Sequence, residues 1–251
     1  MSVTVKSQRE IELMREAGKI LGTVLNELEK ECKPGVTTYH INKIGEEMIK
    51  SYGCIPSFKG YQGYPAAICV SVNDEIVHGI PSKKRVLKEG DIVSLDAGVI
   101  HKGYHSDAAR TYGIGKISDE AAKLIEVTRQ SFFEGIKYAK EGCHLYEISN
   151  AIAQYNESFG YGVIRDLVGH GIGKSVHEDP EVPNFGRPGR GPKLVAGMAL
   201  AIEPMVNMGT YRVATLGDDW TVVSADKSLS AHYENTVVIL PDGPEILTLI
   251  K

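Results

Sequence analysis

Two segments of this 251-residue chain repeat one another at a fixed distance, and each ends on an acidic residue. Residues 87–96 read L-K-E-G-D-I-V-S-L-D, and residues 194–203 read L-V-A-G-M-A-L-A-I-E. A shift of 107 residues therefore places Asp96 on Glu203. An acid at the end of an apolar strand costs free energy unless a positive group meets it. Two such acids, brought together by pseudo-symmetry, predict a shared metal site.

The same shift relates other parts of the chain. It carries the Lys-Pro-Gly of residues 33–35 onto the Lys-Glu-Gly of residues 140–142, and it carries Ile41 onto Ile148. One offset that holds across separated segments predicts two related halves that share one core. The predicted halves are roughly residues 5–112 and 118–245 of a single domain that covers residues 1–251.

Composition and charge narrow the class of protein. Hydrophobic residues make up 42% and charged residues 24% of the chain, as in ordinary globular domains. A net charge of -4 gives no electrostatic footprint for nucleic acid, and the chain has no run of 18 apolar residues to span a membrane. The N-terminus lacks a signal-peptide core, and the four cysteines form no C-x-x-C pair. We therefore expect a cytoplasmic protein with free thiols that binds neither nucleic acid nor membrane.

Local patterns predict helices followed by strands, and they do so twice. Residues 7–10, Ser-Gln-Arg-Glu, have the form of a capping box and precede apolar residues at helical spacing. Residues 91–99 and 104–112 read as a β-hairpin, and Ser118 is a helix N-terminus after which the order restarts. This order is that of an α+β fold rather than the alternation of a doubly wound sheet.

Two aspartates belong to the predicted hairpin. A two-residue turn at His101-Lys102 would place Asp96 directly opposite Asp107 on one face of the sheet. Directly opposed like charges destabilise a sheet, and a divalent cation between them removes the repulsion. The alternative is that one of the two side chains points to solvent.

Three further residues could join these acids. His170 lies in V-G-H-G-I-G, whose glycines allow close approach of backbone or ligand and whose spacing fits neither the dinucleotide fingerprint nor the P-loop. Glu203 ends the second repeat's strand, and Glu234 lies within the strand pattern of residues 231–239. Taken singly, a histidine in a glycine turn is usually structural and an acid in such a strand usually faces solvent. As a set, carboxylates with one imidazole suit hard or borderline divalent ions, two of them where carboxylates bridge.

Two histidines occupy related motifs, one in each half. Residues 77–81 and 176–180 share the pattern V-H-x-x-P. Both histidines, His78 and His177, could be buried structural residues. Their paired placement around a pseudo-twofold site favours catalytic roles as proton donors or carbonyl-binding groups.

The ordered set Asp96, Asp107, His170, Glu203 and Glu234 resembles the ligand set of the methionine aminopeptidases, in their short bacterial type I form. Flanking segments carry the same resemblance, which covers essentially the whole chain. These segments are residues 60–65 (GYQGYP), 71–81 (SVNDEIVHGIP), 169–173 (GHGIG), 202–207 (IEPMVN) and 220–222 (WTV). The resemblance implies a pita-bread fold, in which two pseudo-symmetric α+β halves form one catalytic domain around a dinuclear metal centre.

The resemblance also implies a role for each ligand. Asp96 and Asp107 would hold one metal ion, while Asp107 and Glu234 would bridge to a second ion that His170 and Glu203 complete. Both ions would be cobalt, manganese, iron or zinc. A metal-bound hydroxide would attack the peptide carbonyl, with Glu203 as the proton shuttle. The enzyme would thereby remove the initiator methionine from nascent proteins when the second residue is small.

The implied substrate site uses further side chains. His177 would stabilise the tetrahedral oxyanion, and His78 would contact the scissile amide or donate a proton to the leaving amine. Mainly aromatic residues would form the methionine pocket, because aromatic rings suit a thioether. The implied lining of that pocket is Phe58, Tyr61, Tyr64, Cys69 and Trp220.

Three positions depart from the family pattern. Phe58 and Val176, which we expect to flank the pocket, differ in size from the residues expected there. Asn235 stands where histidine is expected after Glu234. Successive residues of a strand face opposite sides, so Asn235 should point away from the ligands.

Two other functions are compatible with the same fold. A proline-directed peptidase of the same fold usually carries an extra N-terminal domain, for which we expect no room in this chain. A pita-bread protein that serves only as a binding module should lack ligands, and here all five are present. We therefore expect an aminopeptidase that acts as a monomer on nascent peptides near the ribosome.

Overall fold

The structure, a computed structural model, describes residues 3–250. Within them the helices are α1 (Gln8–Glu29), α2 (Thr38–Ser51), α3 (Asp119–Ile136) and α4 (Leu145–Glu157), with a short 3-10 helix at Tyr61–Gly63. The strands of the first half are β1 (Ile55–Pro56), β2 (Ile68–Val72), β3 (Glu75–Val77), β4 (Ile92–His101) and β5 (Tyr104–Gly113). The remaining strands are β6 (Gly162–Val163), β7 (Val168–Gly171), β8 (Glu178–Pro183), β9 (Ala199–Ile202), β10 (Met205–Asn207), β11 (Val213–Thr215), β12 (Val222–Ser224), β13 (Ser230–His232), β14 (Asn235–Leu240) and β15 (Gly243–Ile246).

The N-terminal half packs two helices on one antiparallel sheet. Helix α1 begins at the predicted capping box, in which the Glu10 N–H donates to Ser7 Oγ and the Ser7 N–H donates to the Glu10 carboxylate. The sheet consists of β1, β4, β2 and β5. Leu21 and Ile41, one from each helix, are fully buried in the core between helices and sheet. Burial of such a side chain contributes about 1.5–3 kcal/mol, which holds the helices on the sheet.

The C-terminal half repeats this arrangement. Helices α3 and α4 pack on a sheet whose strands run in the order β15, β14, β9, β7 and β8. Ile148 of α4 is fully buried there, as Ile41 is in the other half. Two smaller sheets complete the fold, one of β13, β10 and β6 and one of β11, β12 and β3. Helices and antiparallel strands together give the α+β class that the sequence predicts.

Backbone hydrogen bonds repeat with the same offset of 107 as the sequence. Gly35 N–H donates to Leu87 O at 2.8 Å, and Gly142 N–H donates to Leu194 O at 2.9 Å. Equivalent bridges at this offset join Thr37 to Val86 and His144 to Lys193. The donors Gly90 and Gly197 are also related by this offset, whereas their acceptors, the carbonyl oxygens of Ile114 and Ile239, are 125 residues apart. The repeated motif thus connects the helix pair of each half in the same way to the segment that leads into β4 or β9. The exact division at residues 5–112 and 118–245 stays a prediction.

The hairpin of β4 and β5 turns one residue later than predicted. Its ladder ends at the pair His101 and Tyr104, so the turn residues are Lys102 and Gly103 rather than His101 and Lys102. Lys102 has φ 50° and Gly103 has φ 85°. Two-residue turns with positive φ at both central positions match the twist of a hairpin, and glycine is the residue most at ease there.

This shift changes the register of the two aspartates. Asp96 lies opposite Ala109, and Asp107 lies opposite Gly98. The prediction that the two aspartates face each other directly is therefore wrong. They are diagonal neighbours two residues apart along the ladder, and they remain on one face of the sheet.

Two apolar segments, one of them the predicted strand of residues 231–239, are each interrupted. The apolar run of residues 67–77 divides into β2 and β3 around Asn73, which has φ 61°. The run of residues 231–239 divides into β13 and β14, so that Glu234 lies at the break and not within a strand. Both interruptions occur next to residues of the candidate site.

None of the helices in residues 3–250 is long and apolar enough to cross a membrane. All four cysteines are free, and three of them are buried.

Candidate active site

One cavity of about 300 Å³ is lined by all the residues that the sequence predicts for the site. It lies between the two halves, and its lining includes residues from both of the large sheets. The nominated residues in its wall are Phe58, Tyr61, Tyr64, Cys69, His78, Asp96, Asp107, His170, His177, Glu203, Trp220 and Glu234. The acidic and imidazole groups therefore share a cavity with the aromatic ones.

Four carboxylates are buried in this cavity. Asp96 and Asp107 are 9% and 3% exposed, and Glu203 and Glu234 are 9% and 2% exposed. One oxygen each of Asp96, Asp107 and Glu234 is buried without a hydrogen-bond partner among the described residues. Unpaired buried carboxylate oxygens are costly, and a cation held between them removes that cost.

Burial and the proximity of the acids to one another raise their pKa values. Burial raises the pKa of Asp96 to about 7. Burial, followed by the neighbouring charges of Asp96 and Glu203, raises the pKa of Asp107 well above its usual range. The pKa of Glu203 is raised by burial and by Asp96, and that of Glu234 by burial and by the other three acids. A group of acids that cannot all ionise together in a buried site fits divalent cations as the missing countercharge.

His170 presents one ring nitrogen to the acids. Its Nδ1 donates to Gly171 O at 3.0 Å, which leaves Nε2 with the lone pair. Nε2 lies 3.5 Å from Glu203 Oε1 and 3.9 Å from Asp107 Oδ2. Ligand atoms of Asp107, His170 and Glu234 lie within 4.8 Å of one another, a spacing that a metal ion could bridge. An imidazole held in one tautomer by a backbone carbonyl is the usual arrangement of a metal-ligating histidine.

The glycines around His170 are needed for packing. A Cβ on Gly169 would collide with the Ala201 carbonyl oxygen of β9, and a Cβ on Gly171 would collide with the Asp179 carbonyl oxygen. The two glycines therefore allow the backbone of β7 to lie close to its neighbouring strands. This close approach brings His170 into register with Ala201, two residues before Glu203.

Glu234 is held by the other half of the molecule. Its N–H donates to Ala109 O at 2.9 Å, and the Ala109 N–H donates to Glu234 O at 3.4 Å. Asn235 faces the opposite side, as expected, where its Oδ1 accepts from Arg110 and from Thr248 Oγ1. The same Arg110 guanidinium also donates to the Glu234 carbonyl oxygen. These contacts fix the break between β13 and β14 at the point where the Glu234 carboxylate enters the cavity.

His78 and His177 both line the cavity. His177 is exposed, bonds through Nδ1 to Tyr61 OH at 2.8 Å, and packs its ring 4.3 Å from that of His170. His78 has φ 59°, in the left-handed region. A non-glycine residue in that region costs about 1–3 kcal/mol, and such residues cluster at functional sites. Partial desolvation of the ring in the cavity lowers the pKa of each of the two histidines.

The apolar part of the cavity is a compact cluster. Tyr64 and Cys69 are each 3% exposed, and Phe58 and Trp220 pack against them half-buried. Tyr64 and Trp220 meet edge to face at 5.1 Å, and Tyr64 OH donates to Gly79 O at 2.9 Å. The tyrosine is thus fixed by its polar end, and its ring is left to form the pocket wall.

Some residues of the site are not singled out by the sequence analysis as site residues. The cavity is also lined by Gln62, Val77, Asp166, Leu167, Val168 and Met205, whereas Val176 is buried outside its wall. Asn184 donates through Nδ2 to the Glu203 carbonyl oxygen at 2.8 Å. His232 is 2% exposed, its Nε2 lies 3.7 Å from Glu203 Oε2, and burial lowers its pKa to about 3. A flanking histidine in a β-pattern could have been noticed, but only the structure places it behind Glu203.

Comparison with known families matches this site. The model of metallopeptidase family M24 matches residues 12–241. Fold and site together thus define the class as a metallopeptidase of the pita-bread fold, which confirms the predicted fold.

Individual relatives show which kind of metallopeptidase this chain resembles. Methionine aminopeptidase of Clostridium acetobutylicum is 65% identical over 249 residues, which cover 99% of this chain and 100% of that protein. Methionine aminopeptidase 1 of Bacillus subtilis is 50% identical over 248 residues, with 99% and 100% covered. The crystal structure of methionine aminopeptidase from Thermotoga maritima has a TM-score of 0.98 at 46% identity, with 99% and 100% covered. Prolidase from Pyrococcus furiosus, with a TM-score of 0.80 at 23% identity and with 98% of this chain and 66% of that one covered, shares the fold.

The chain belongs to metallopeptidase family M24 and, within it, to the type I methionine aminopeptidases. It is an enzyme, a metalloexopeptidase, as the sequence resemblance predicts.

Proposed function

We propose that the protein removes the initiator methionine from nascent proteins whose second residue is small. The observation that carries this proposal is that one 300 Å³ cavity holds both a buried acidic cluster and an aromatic pocket. The acidic cluster suits catalytic metal ions, and the aromatic pocket suits a flexible thioether side chain. Metal-dependent cleavage after an N-terminal methionine uses both parts.

Two divalent ions, of cobalt, manganese, iron or zinc, would be held by Asp96, Asp107, His170, Glu203 and Glu234. Asp107 and Glu234 would be shared between the ions, because they lie deepest and come from opposite halves. Such ions supply a water made nucleophilic near neutral pH and stabilise negative charge on a carbonyl oxygen. The unpaired oxygens of Asp96, Asp107 and Glu234 support this donor set.

The chain's own residues would move the protons and position the substrate. Glu203 would take a proton from the attacking water and deliver it to the leaving amine, because its carboxylate lies in the cavity beside the other ligands, 3.5 Å from His170 Nε2. His177, at the cavity mouth with Tyr61, would stabilise the oxyanion. His78, beside Trp220 at 6.2 Å, would contact the scissile amide or donate to the leaving group.

The aromatic pocket would select methionine. Tyr64 and Trp220 enclose it with Phe58 and Cys69, and Tyr61 lies at the edge with His177. As the family resemblance implies, the free amino group of a substrate would bind one of the metal ions, which favours an exopeptidase over an endopeptidase. We propose further that the enzyme is a cytoplasmic monomer that meets its substrates near the ribosome, and sedimentation velocity of the purified protein tests the monomer.

A panel of peptides with and without metal tests the function. Metal-free protein reloaded with Co²⁺ should cleave Met-Ala-Ser and Met-Ser-Ser, but neither Met-Lys-Ser nor Met-Phe-Ser. A strong chelator should abolish cleavage, and fresh Co²⁺ should restore it. Leu-Pro-Ser serves as the control for a proline-directed peptidase. Equal rates across the Met-X-Ser series would refute the requirement for a small second residue, and no cleavage of any peptide would favour the binding-module alternative.

A further inference from the structure

His232 is a buried polar side chain near the site, and the resemblance gives it no role. It is 2% exposed, and neither ring nitrogen has a hydrogen-bond partner among the described residues. Whatever its tautomer, an imidazole carries at least one N–H donor. Leaving such a donor unpaired in a protein interior costs about 1–3 kcal/mol. This cost is removed if a group of the site accepts a hydrogen bond from His232.

The acceptor nearest to this ring is the Glu203 carboxylate. His232 Nε2 lies 3.7 Å from Glu203 Oε2, while Oε1 of the same carboxylate lies 3.5 Å from His170 Nε2. Glu203 is therefore placed between two imidazoles, each of which faces a different oxygen. A shift of less than about 1 Å would bring His232 within the usual N–H···O distance.

The repeat gives His232 a counterpart in the first half. Gly98 corresponds to Met205 at the offset of 107 residues. Asp107 lies opposite Gly98 on β5, and His232 lies opposite Met205 on β13. His232 therefore occupies in the second half the position that Asp107 occupies in the first.

The backbone around the two residues is fixed in the same way. Thr236 Oγ1 accepts from the Asp107 N–H and donates to the Asp107 carbonyl oxygen, both at 2.8 Å. Thr111 Oγ1 makes the same two bonds to His232, both at 2.9 Å. The same fold position thus carries a ligand in one half, where its diagonal neighbour is Asp96, and a histidine in the other, where its diagonal neighbour is Glu203.

We propose that His232 is the positioning residue of Glu203, to which it donates a hydrogen bond when that carboxylate holds its metal ion. The bond occupies Oε2, so that Oε1 is kept toward His170. His232 does not line the cavity wall and touches neither substrate nor reacting atoms, so it acts only through Glu203.

The test uses the full-length protein, stripped of metal and titrated with Co²⁺ by calorimetry. His232→Leu and His232→Met remove the donor, whereas His232→Gln keeps one of similar reach. His144→Leu, which removes a histidine far from the cavity, is the control and should leave Co²⁺ binding unchanged. Loss of a partner that orients a metal ligand typically costs about 10–100-fold in metal affinity or activity. We expect His232→Leu and His232→Met to weaken Co²⁺ binding about tenfold or more and to lower kcat by a similar factor with KM little changed. His232→Gln should stay within about threefold of the wild type.

The visible absorption of the Co²⁺-loaded variants distinguishes positioning from direct ligation. The spectrum should be preserved in His232→Gln and altered in His232→Leu. A spectrum altered equally in both would make His232 a metal ligand and overturn the positioning role. So would equal losses of Co²⁺ affinity in the Gln, Leu and Met variants, or a Leu variant within twofold of the wild type in affinity and kcat. Thermal unfolding of each variant checks that it is folded.

Only the kcat measurement rests on the proposed function. If the wild-type protein failed to cleave Met-Ala-Ser, the proposed function would fail, while the Co²⁺ affinities and spectra would still decide the role of His232.

Discussion

The two halves of this protein share a scaffold but not a set of ligands. In the first half, β4 and β5 form an uninterrupted ladder in which Asp96 lies opposite Ala109. In the second half, the equivalent ladder breaks, and the register that pairs His232 with Met205 places Glu234 opposite Glu203. The first half therefore offers two acids on a diagonal, and the second offers two acids face to face.

This difference teaches that the backbone repeat and the chemistry of the site are separate properties. The repeat fixes where side chains can enter the cavity, and the residue types decide which positions carry a ligand. Ala109 and Glu234 occupy equivalent positions and are hydrogen-bonded to each other, yet one carries a methyl group and the other a carboxylate. An almost symmetric scaffold thus holds an asymmetric ligand set.

The largest expected effect comes from the acid that the proposal assigns to both ions. Asp107→Ala should lower kcat/KM by at least about 10³, because metal ions supply several kcal/mol of transition-state stabilisation. His232→Leu, at the equivalent position of the other half, should cost far less. Elemental analysis with steady-state kinetics on Met-Ala-Ser measures both. Two bound ions in the Asp107→Ala protein would disprove its bridging role.

Glu203 and Glu234 face each other but are assigned different tasks. Glu203→Gln keeps an oxygen for the metal but cannot act as a base, so kcat should fall by at least about 10² with KM changed much less. Glu234→Gln should instead act mainly through loss of metal. Kinetics with metal content recorded for each variant separate the two. A fully loaded Glu203→Gln enzyme within about threefold of the wild type would move the proton shuttle to another residue, His78 or His177 being next.

The two threonines that fix Asp107 and His232 provide a matched pair. Thr236→Val and Thr111→Val each leave a buried N–H and C=O unpaired, so each should lower the free energy of unfolding by about 1–3 kcal/mol. Urea unfolding of the metal-free protein measures this cost. Co²⁺ affinity should fall more in Thr236→Val, which displaces a ligand, than in Thr111→Val. The opposite order would mean that His232 matters more to the metal than Asp107.

The smallest expected effect concerns the first helix of each half. Hydrogen bonds from the Ser7 backbone, the Tyr104 hydroxyl and the Ser7 side chain lower the pKa of Glu10 from 4.5 to about 2. A depressed pKa means that the folded state holds this proton less tightly than the unfolded state. The stabilisation is therefore complete above about pH 4.5 and is lost as the pH falls toward 2.

Glu10→Gln removes this charge and should cost about 1 kcal/mol at pH 7. The difference from the wild type should close between pH 4.5 and about 2. Glu120→Gln, on the equivalent helix α3, is the matched control and should have a smaller effect, because Glu120 has no partner comparable to Tyr104 among its interactions. Chemical denaturation at several pH values measures both, and a difference that stays constant with pH would contradict the assignment.

Much of this fold can be predicted from the sequence, because the patterns that indicate its elements are short. The capping box at Ser7, the hairpin strands and the repeat at offset 107 all follow from short patterns, and their elements are found where expected. The hairpin register was missed because it depends on a single residue of the turn. Gly103 was the available signal, since a two-residue hairpin turn favours glycine at its second central position.

The candidate site is harder to predict from the sequence than the fold is. The predicted site residues come together in one cavity, but their prediction rests on a family resemblance and not on spacing alone. The roles of His232 and Asn184 could not have been predicted from the sequence, because neither residue belongs to a recognisable metal-binding or catalytic motif. Their significance comes from what they face across the fold, which only the packing of the two halves determines.

The mutual backbone bonds of Ala109 and Glu234 have a further consequence. A contact in which each strand offers the other the same two groups is the kind that identical subunits make across a twofold axis. In a dimer of identical halves, every substitution at this axis would appear twice, so only paired, equal ligands could arise. Once both halves lie in one polypeptide, each position is inherited independently. The covalent link between the halves is what allows an aspartate at 107 and a histidine at 232 to coexist.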